Sequence, residues 1–180
     1  SAWSRRCSFG PGSGSATTTS LRRCRRCCDD VDMSSRQVSV SRTIAATPAA
    51  IFAVLSDPSL HAVIDGSGTV HGARSNERQL RLGSKFSMGM RMGVPYRISN
   101  EVVEFEQDRL IAWRHLGGHR WRYELRPVDG GTEVTETFDW STSRAPKGIE
   151  LAGYPRRHVP NMERTLERLE AFLSHRSNAL

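Results

Sequence analysis

Glu136 is the residue whose type and spacing best suit it to chemistry. It stands in the run Thr132–Trp140 (TEVTETFDW), where Val134, Glu136, Phe138 and Trp140 recur at every second position. That period marks a strand with one buried face, and it turns Glu136 the same way as its apolar neighbours. A carboxyl taken out of water has its ionised form penalised and its pKa raised. It then suits a proton donor or acceptor near neutral pH. The opposite register stays open, because a slip of one residue turns Glu136 outward and brings Thr135 and Thr137 in. Glu133 and Glu136 can also pair with strand arginines such as Arg122. Tyr123 and His115 are the other candidates for proton transfer, since acid–base work on a phenol or carbonyl needs a shuttle beside a shaped cavity. His119 falls in a turn and is expected at the surface. His61 and His71 flank the loop at Asp65-Gly66 and are expected at the mouth of any pocket.

Other chemistries find little support. No metal site is expected from the spacing of histidines and carboxylates. There is no Gly-x-Ser-x-Gly elbow and no glycine-rich phosphate loop ahead of a helix, so neither a serine hydrolase nor a nucleotide enzyme is indicated. No cofactor is expected. Gly83, Gly89 and Gly93 lie in a strand region and mark bends.

The elements that must hold these residues can be read along the chain. Gln37–Thr43 alternates and predicts a strand. Thr47-Pro48 and Asp57-Pro58 each write a helix start, with a capping side chain followed by a proline whose missing N–H has no helical partner anyway. Ile51, Phe52 and Leu55 follow at helical spacing. Asp65-Gly-Ser-Gly68 predicts a turn. Strands are predicted over Lys85–Arg91 and Tyr96–Glu106, the second with a bulge at Val102-Val103 where alternation slips. Gln107-Asp108 turns the chain into a strand at Leu110–His115, and Gly117-Gly118 turns it again. Arg120–Val128 and Thr132–Trp140 form a hairpin through Asp129-Gly130-Gly131. Met162, Leu166, Leu169 and Leu173 recur on one face of a closing helix. Its approach, from Pro146 to Pro160, is expected to be broken at Gly153-Tyr154-Pro155 and again at Pro160. The break at Gly153 can act as a gate with Tyr154 at the entrance.

Composition sets bounds. The 180 residues are enough for one domain with a sizeable core, and no apolar run approaches the ~20 residues of a membrane helix. The net charge of +7 is shared between residues 1–32, at +3, and the rest, at +4. Arginines from there on mostly alternate with apolar residues, as in Arg120-Trp-Arg-Tyr-Glu-Leu-Arg126. They read as a solvated sheet face rather than a nucleic-acid surface. All four cysteines (Cys7, Cys24, Cys27, Cys28) precede residue 33, so the domain fits a reducing, cytoplasmic setting. Cys24-x-x-Cys27-Cys28 is half of a zinc pattern with no second pair. Residues 1–34 are expected to be a disordered basic tail. It reads as sequence upstream of a start at Met33, as a transit peptide or as a genuine arm, with the first preferred. The domain is expected over 35–176 and a short tail over 177–180. A monomer and a homodimer are both open.

The order of strand, two small helices, antiparallel run and closing helix resembles the START-like (SRPBCC) superfamily. That group includes polyketide cyclases/dehydrases, Bet v 1-like plant allergens and lipid-transfer domains. The resemblance is carried by TPAAIFAVLSDPSLHAV, VVEFEQDRLIAWRH, RWRYELRPVDGGTEVTETFDW and the C-terminal helix, over roughly residues 36–175. It implies an α+β helix-grip fold, a curved antiparallel sheet wrapped around the long C-terminal helix. It also implies an internal cavity, without a shared catalytic motif. The inward faces of the strands then nominate Met88, Met90, Trp113, Trp121, Tyr123, Glu136 and Phe138 as ligand contacts, with Tyr154 and Met162 from the helical end. Taken singly, each reads first as a core residue. The expected function is binding of a hydrophobic small molecule such as a lipid, polyketide or quinone. The alternative is a cyclase/dehydrase-type enzyme using Glu136, Tyr123 or His115.

Overall fold

Hairpin chemistry lays out the sheet. The computed structural model describes residues 35–75 and 77–177. The expectations for the cysteines and basic tail of 1–34, and for 178–180, lie outside the described residues. Seven strands form one antiparallel sheet: β1 (Gln37–Ile44), β2 (Val70–Arg74), β3 (Lys85–Met92), β4 (Val94–Glu106), β5 (Leu110–His115), β6 (Arg120–Val128) and β7 (Gly131–Asp139). Their order across the sheet is β1-β7-β6-β5-β4-β3-β2. The chain starts at one edge, crosses to the other, and returns through consecutive hairpins until β7 closes on β1.

Two short helices and a turn make that crossing. The Thr47 hydroxyl accepts from the Ala50 N–H at 3.3 Å and caps α1 (Pro48–Leu55), with Pro48 in the first turn. Asp57 also caps, accepting from the Ser59 N–H at 2.9 Å, but it opens a 3-10 turn over Pro58–Leu60 that leads into α2 (His61–Ile64). The second helix is thus only one turn long, stopped where Asp65 and Gly66 leave the spiral. β2 carries no clear alternation and is defined by its pairing to β3, with a register shift at Gly72.

The turns follow their residues. Val128 pairs with Gly131 around Asp129-Gly130, and Gly130 has a φ of +82°. Gly131 is required by contact: a Cβ there would lie 2.1 Å from the Ile44 carbonyl oxygen. The register of β4 against β5 shifts between Val102 and Glu104, so the bulge falls where alternation slips. A bulge bends its strand and adds twist, which helps the sheet curl.

The helical end departs from expectation at one point. α3 (Pro146–Leu151) is separated from α4 (Tyr154–Ser177) at Gly153, whose φ is +69°. Pro160, however, lies inside α4 without interrupting it. Pro160 and Arg156 are both exposed, so the Arg156 carbonyl that loses its donor can turn to water. Met162, Leu166, Leu169 and Leu173 are buried as their spacing predicts. The last three pack with Ile51, Phe52 and Leu55 of α1 and with Ile111, Trp113, Tyr123 and Val134 of the sheet. Met162 joins Val38, Phe138 and Trp140 in a second cluster. Glu150 ties α3 to this end by accepting from Trp140 Nε1 at 3.0 Å and Arg36 Nε at 3.1 Å.

The opposite sheet face is polar. Ser39 and Ser41 share hydroxyl hydrogen bonds of 2.8 Å with Thr137 and Thr135. Arg122 pairs with Glu104 and Glu124, Arg126 with Glu133, and Arg114 with Glu101. These are half-exposed pairs, each adding about 1 kcal/mol or less. They account for much of the arginine content as a solvated face.

Candidate ligand site on the inner face of the sheet

β7 presents Val134, Glu136 and Phe138 to the core, so the register is the one that turns the carboxylate inward. Glu136 is 3% exposed and stands opposite Tyr123 in the ladder. The Tyr123 hydroxyl donates to Glu136 Oε1 at 2.8 Å, while Oε2 has no partner. Burial pushes the Glu136 carboxyl up to about 8, with the charge of Asp65 adding to the rise and the Tyr123 hydrogen bond opposing it. Burial, reinforced by Glu136, raises Tyr123 well above the ordinary phenol range. At neutral pH the pair is therefore an un-ionised acid against an un-ionised phenol, deep among apolar groups.

An aromatic row continues from Tyr123. Trp113 lies 5.4 Å from Tyr123 between ring centres, and His61 stacks on Trp113 at 5.0 Å. Phe86 stands edge-on to both, at 5.5 Å from His61 and 5.9 Å from Trp113. His61 was expected at a pocket mouth, but α2 turns it inward instead. Its Nε2 bonds the Leu55 carbonyl at 2.8 Å, which assigns the proton to that nitrogen, and its Nδ1 is buried without a partner. Burial lowers its pKa, so the ring is neutral.

Asn100 is the residue that sequence reasoning missed. It is buried opposite Phe86 on one side and His115 on the other, and neither its Nδ2 nor its Oδ1 has a partner. The signal was available: Ile98, Asn100 and Val102 share a face, and an amide interrupts an apolar alternation.

The loop after α2 closes one end of this face. The Asp65 carboxylate accepts from the N–H groups of Ser67, Thr69 and Val70 at 3.0–3.1 Å. Gly66 lies flat against α4. Its N–H donates to Thr165 Oγ1 at 3.0 Å, and its carbonyl accepts from Arg164 Nε at 3.0 Å. Arg168 also bonds the Asp65 carbonyl.

A cleft of about 730 Å³ opens beside Phe86, Asn100 and His115. Arg74, Lys85, Arg114 and Arg144 line it, and the ladder sets Lys85 and Arg114 beside Glu101, and Arg74 beside Ser87, on the sheet face away from Phe86 and Asn100, so this cleft is a polar one on the outer side rather than the apolar inner cavity expected from the sequence. Of the residues nominated from the sequence, His115 lines this cleft. Met88, Trp113, Tyr123, Glu136, Phe138 and Met162 are buried, Met90 and Trp121 are half-buried, and Tyr154 is 39% exposed. Tyr123, Glu136 and Trp113 are brought together. Phe138, Trp121, Met162 and Tyr154 gather instead around the helical end.

Three histidines meet there. His119, expected at the surface, is half-buried and stacks on His115 at 4.3 Å. These two residues do form a His-x-x-x-His spacing, but across the Gly117-Gly118 turn rather than along a helix. His158 packs 4.5 Å from Phe138 and 5.0 Å from Trp121. Burial foremost, then the neighbouring imidazoles, hold His115 down to about 3 and His158 to about 4. Among the described residues no group of three His, Cys, Asp or Glu side chains is arranged to hold a metal ion. Nor is any described helix long and apolar enough to cross a membrane.

Comparison with known proteins places the chain. The sequence model described as "Polyketide cyclase / dehydrase and lipid transport" matches residues 35–173. An uncharacterised Mycobacterium tuberculosis protein, Rv0088, is 39% identical over 145 residues, which are 77% of this chain and 65% of that protein. The chain thus spans just under two thirds of that relative's length. Among solved structures, Ms6760 from Mycobacterium smegmatis superposes with a TM-score of 0.62 at 18% identity, over 80% of this chain and 94% of that one. NE0264 from Nitrosomonas europaea gives 0.61 at 18% identity, over 79% and 97%. At such identities these two likenesses speak for the fold alone.

Proposed function

The chain belongs to the polyketide cyclase / dehydrase and lipid transport family, and from that premise we propose that it binds a small, mainly apolar molecule on the inner face of its sheet. The bound molecule carries at least one oxygen able to hydrogen-bond, as a polyketide, a quinone or a lipid with a carbonyl does. The supporting observation is one set of atoms: Glu136 Oε2, His61 Nδ1 and both amide atoms of Asn100, all buried and unpartnered. Buried polar groups are ordinarily bonded, and each one left unmet costs about 1–3 kcal/mol. A ligand bonding several of them offsets that cost and gains specificity besides. The flat rings of Tyr123, Trp113 and Phe86 suit a planar or extended apolar body. We also propose a cytoplasmic setting, which a domain without cysteine after Cys28 fits.

The test is native mass spectrometry of the protein as purified, with extraction of any retained molecule, followed by calorimetric titration of a naphthoquinone, a flavonoid and a fatty acid. Retention of an apolar compound, or micromolar binding of one class, is expected. An empty protein whose melting temperature ignores the whole panel would sink the proposal.

A second reading has its own support. An un-ionised Glu136 bonded to Tyr123 is a proton donor poised near neutral pH, as a cyclase or dehydratase acting on a polyketide-like carbonyl requires. Under this reading Glu136→Gln abolishes turnover while leaving ligand affinity within about twofold. Loss of affinity without any turnover in the native protein counts for a carrier.

A further inference from the structure

The β3–β4 hairpin reaches past the rest of the sheet. β4 pairs with β3 all the way to Val94, but with β5 only from Asn100 onward. Residues 94–99 therefore have β3 on one side and, among the described residues, no strand on the other. α4 packs on β1 and β7, in the other half of the sheet. The hairpin ends at Gly93, whose φ is +81°.

The ladder sorts its side chains to two faces. Phe86 stands opposite Asn100, Met88 opposite Ile98 and Met90 opposite Tyr96, all on the inner side, and Val94 is next in that alternation. Exposure climbs along this stripe. Phe86, Asn100 and Met88 are buried, Met90 and Ile98 are half-buried, Tyr96 is 42% exposed and Val94 73%. Tyr96 and Val94 are thus the solvent end of the core's own stripe, not apolar residues scattered singly on a surface. Pro95 beside them is exposed too. On the outer side Arg91 stands opposite Pro95, and Arg97 opposite Gly89. Both arginines are exposed, and among the described residues neither has a carboxylate partner. No Asp or Glu occurs from Lys85 to Asn100, nor in the neighbouring β2.

Charge narrows what can cover this tip. Residues 1–32 carry +3 and the whole chain +7, so neither that segment nor a second copy complements two unpaired arginines. The complement is an anionic surface that also takes up apolar side chains, which is the interface of a bilayer holding acidic lipids. Tyrosine suits that depth, with its ring among the acyl chains and its hydroxyl among the headgroups. Arg91 and Arg97 stand two and four residues from Gly93, about 7 and 13 Å along their strands. A tip that enters by about 5–10 Å leaves them at the level of the phosphates.

We propose that the β3–β4 hairpin docks on an anionic lipid bilayer, with Val94, Pro95 and Tyr96 in the headgroup layer and Arg91 and Arg97 on lipid phosphates. The docking does not depend on what the inner face of the sheet holds.

Co-sedimentation of the full chain with phosphatidylcholine vesicles, with and without about one third phosphatidylglycerol, tests it. The acidic vesicles should bind the protein about tenfold more tightly than the neutral ones, and raising the salt should remove most of that advantage. Val94→Asp and the double variant Arg91→Gln/Arg97→Gln should each weaken binding to the acidic vesicles about tenfold. All three positions are exposed, so the fold has little stake in them, and the salt series on the native chain is an independent readout. The control Arg156→Gln/Arg157→Gln removes the same charge from exposed positions on α4 and should change binding less than about twofold. Equal binding to both vesicles, or to neither, overturns the inference. So does a loss in the α4 control as large as in the hairpin variants, which would mean attraction by net charge alone. Polyglutamate that binds as tightly as the acidic vesicles, and is released by the same hairpin variants, overturns it in favour of an acidic protein partner. A dimer of the native chain that Val94→Asp dissociates in analytical ultracentrifugation overturns it in favour of a second copy. A protein that keeps its apolar ligand while ignoring vesicles overturns the docking and leaves the inner-face site intact.

Discussion

Replacing Glu136 by Gln should stabilise the protein at neutral and alkaline pH, by an amount that grows with pH. The folded state holds this carboxyl at about 8, against 4.5 for the ordinary side chain. The folded protein therefore binds the proton more tightly than the unfolded chain does. The stability this group contributes is fully present below pH 4.5, where both states are protonated, and is lost as pH rises through the window up to about 8. At 1.36 kcal/mol per pK unit, the loss is about 1 kcal/mol at pH 5, about 3 at pH 7 and about 4 at pH 8. Glutamine copies the shape of the un-ionised acid. It can still accept from the Tyr123 hydroxyl, and it has no proton to lose.

The assay is urea unfolding of both proteins at pH 5, 7 and 8, followed by tryptophan fluorescence. The difference between variant and native should widen by about 3 kcal/mol from pH 5 to pH 8. Every other titrating group is common to the two proteins, so the histidines cancel in the comparison. A difference that stays flat with pH would show that Glu136 is ionised in the fold, and would remove both the neutral pair and the acid–base reading built on it. A widening difference in the opposite sense would mean that an unrecognised cation holds the carboxylate.

The histidine cluster predicts the reverse dependence at the acid end. His115 and His158 stay neutral in the fold down to about 3 and about 4, whereas the unfolded chain takes up protons below 6.5. Stability should therefore fall by about 1–2 kcal/mol per histidine between pH 7 and pH 5, and His158→Gln should flatten that fall in the same urea assay. Gly66→Ala should cost about 3 kcal/mol or more, because its Cβ would lie 2.2 Å from the Asn161 carbonyl oxygen and 2.5 Å from the Thr165 nitrogen. A melting temperature within 2 °C of the native value would mean that the loop lifts away from α4 freely.

Local chemistry decides the parts of the fold that could be read from the sequence. Thr47-Pro48 starts a helix wherever it stands, Asp129-Gly130 turns a hairpin, and a slip in alternation at Val102-Val103 is a bulge in any sheet. The leucine stripe of α4 needed only a period of 3.6. The hidden parts depend on distant partners. β2 is a strand because β3 offers it an edge. His61 is buried because a one-turn helix is rotated by its packing, which no periodicity over four residues can express. The cleft gathers residues of β2, β3, β4 and β5 that lie far apart in the sequence. Glu136 was half legible: its alternation was plain, while its register depended on β1 and β6, which turn Val40 and Tyr123 to the same face. Pro160 was overread, since a proline on the solvent side of a well-packed helix loses one hydrogen bond and not the helix.

The polar groups of the inner face bear on function through what a purely structural core would have done. Glu136 lies between Val134 and Phe138, where valine or leucine would bury more apolar area and escape the penalty on ionisation. A buried acid–phenol pair can be kept for structural reasons, by fixing strand register, and the Tyr123–Glu136 bond by itself fits that role. A register device, however, is complete when its own bonds are made. Here Glu136 Oε2 is left over, as are His61 Nδ1 on α2 and the Asn100 amide on β4, on elements that set no register for β6 and β7. Three segments far apart in sequence thus each bring an unmet polar atom to the core side of one sheet. A fold selected for stability alone would have removed them one by one, since each removal is a single substitution. Their joint presence supports the proposed ligand, and it is why polar atoms, more than the aromatic walls, carry the functional reading.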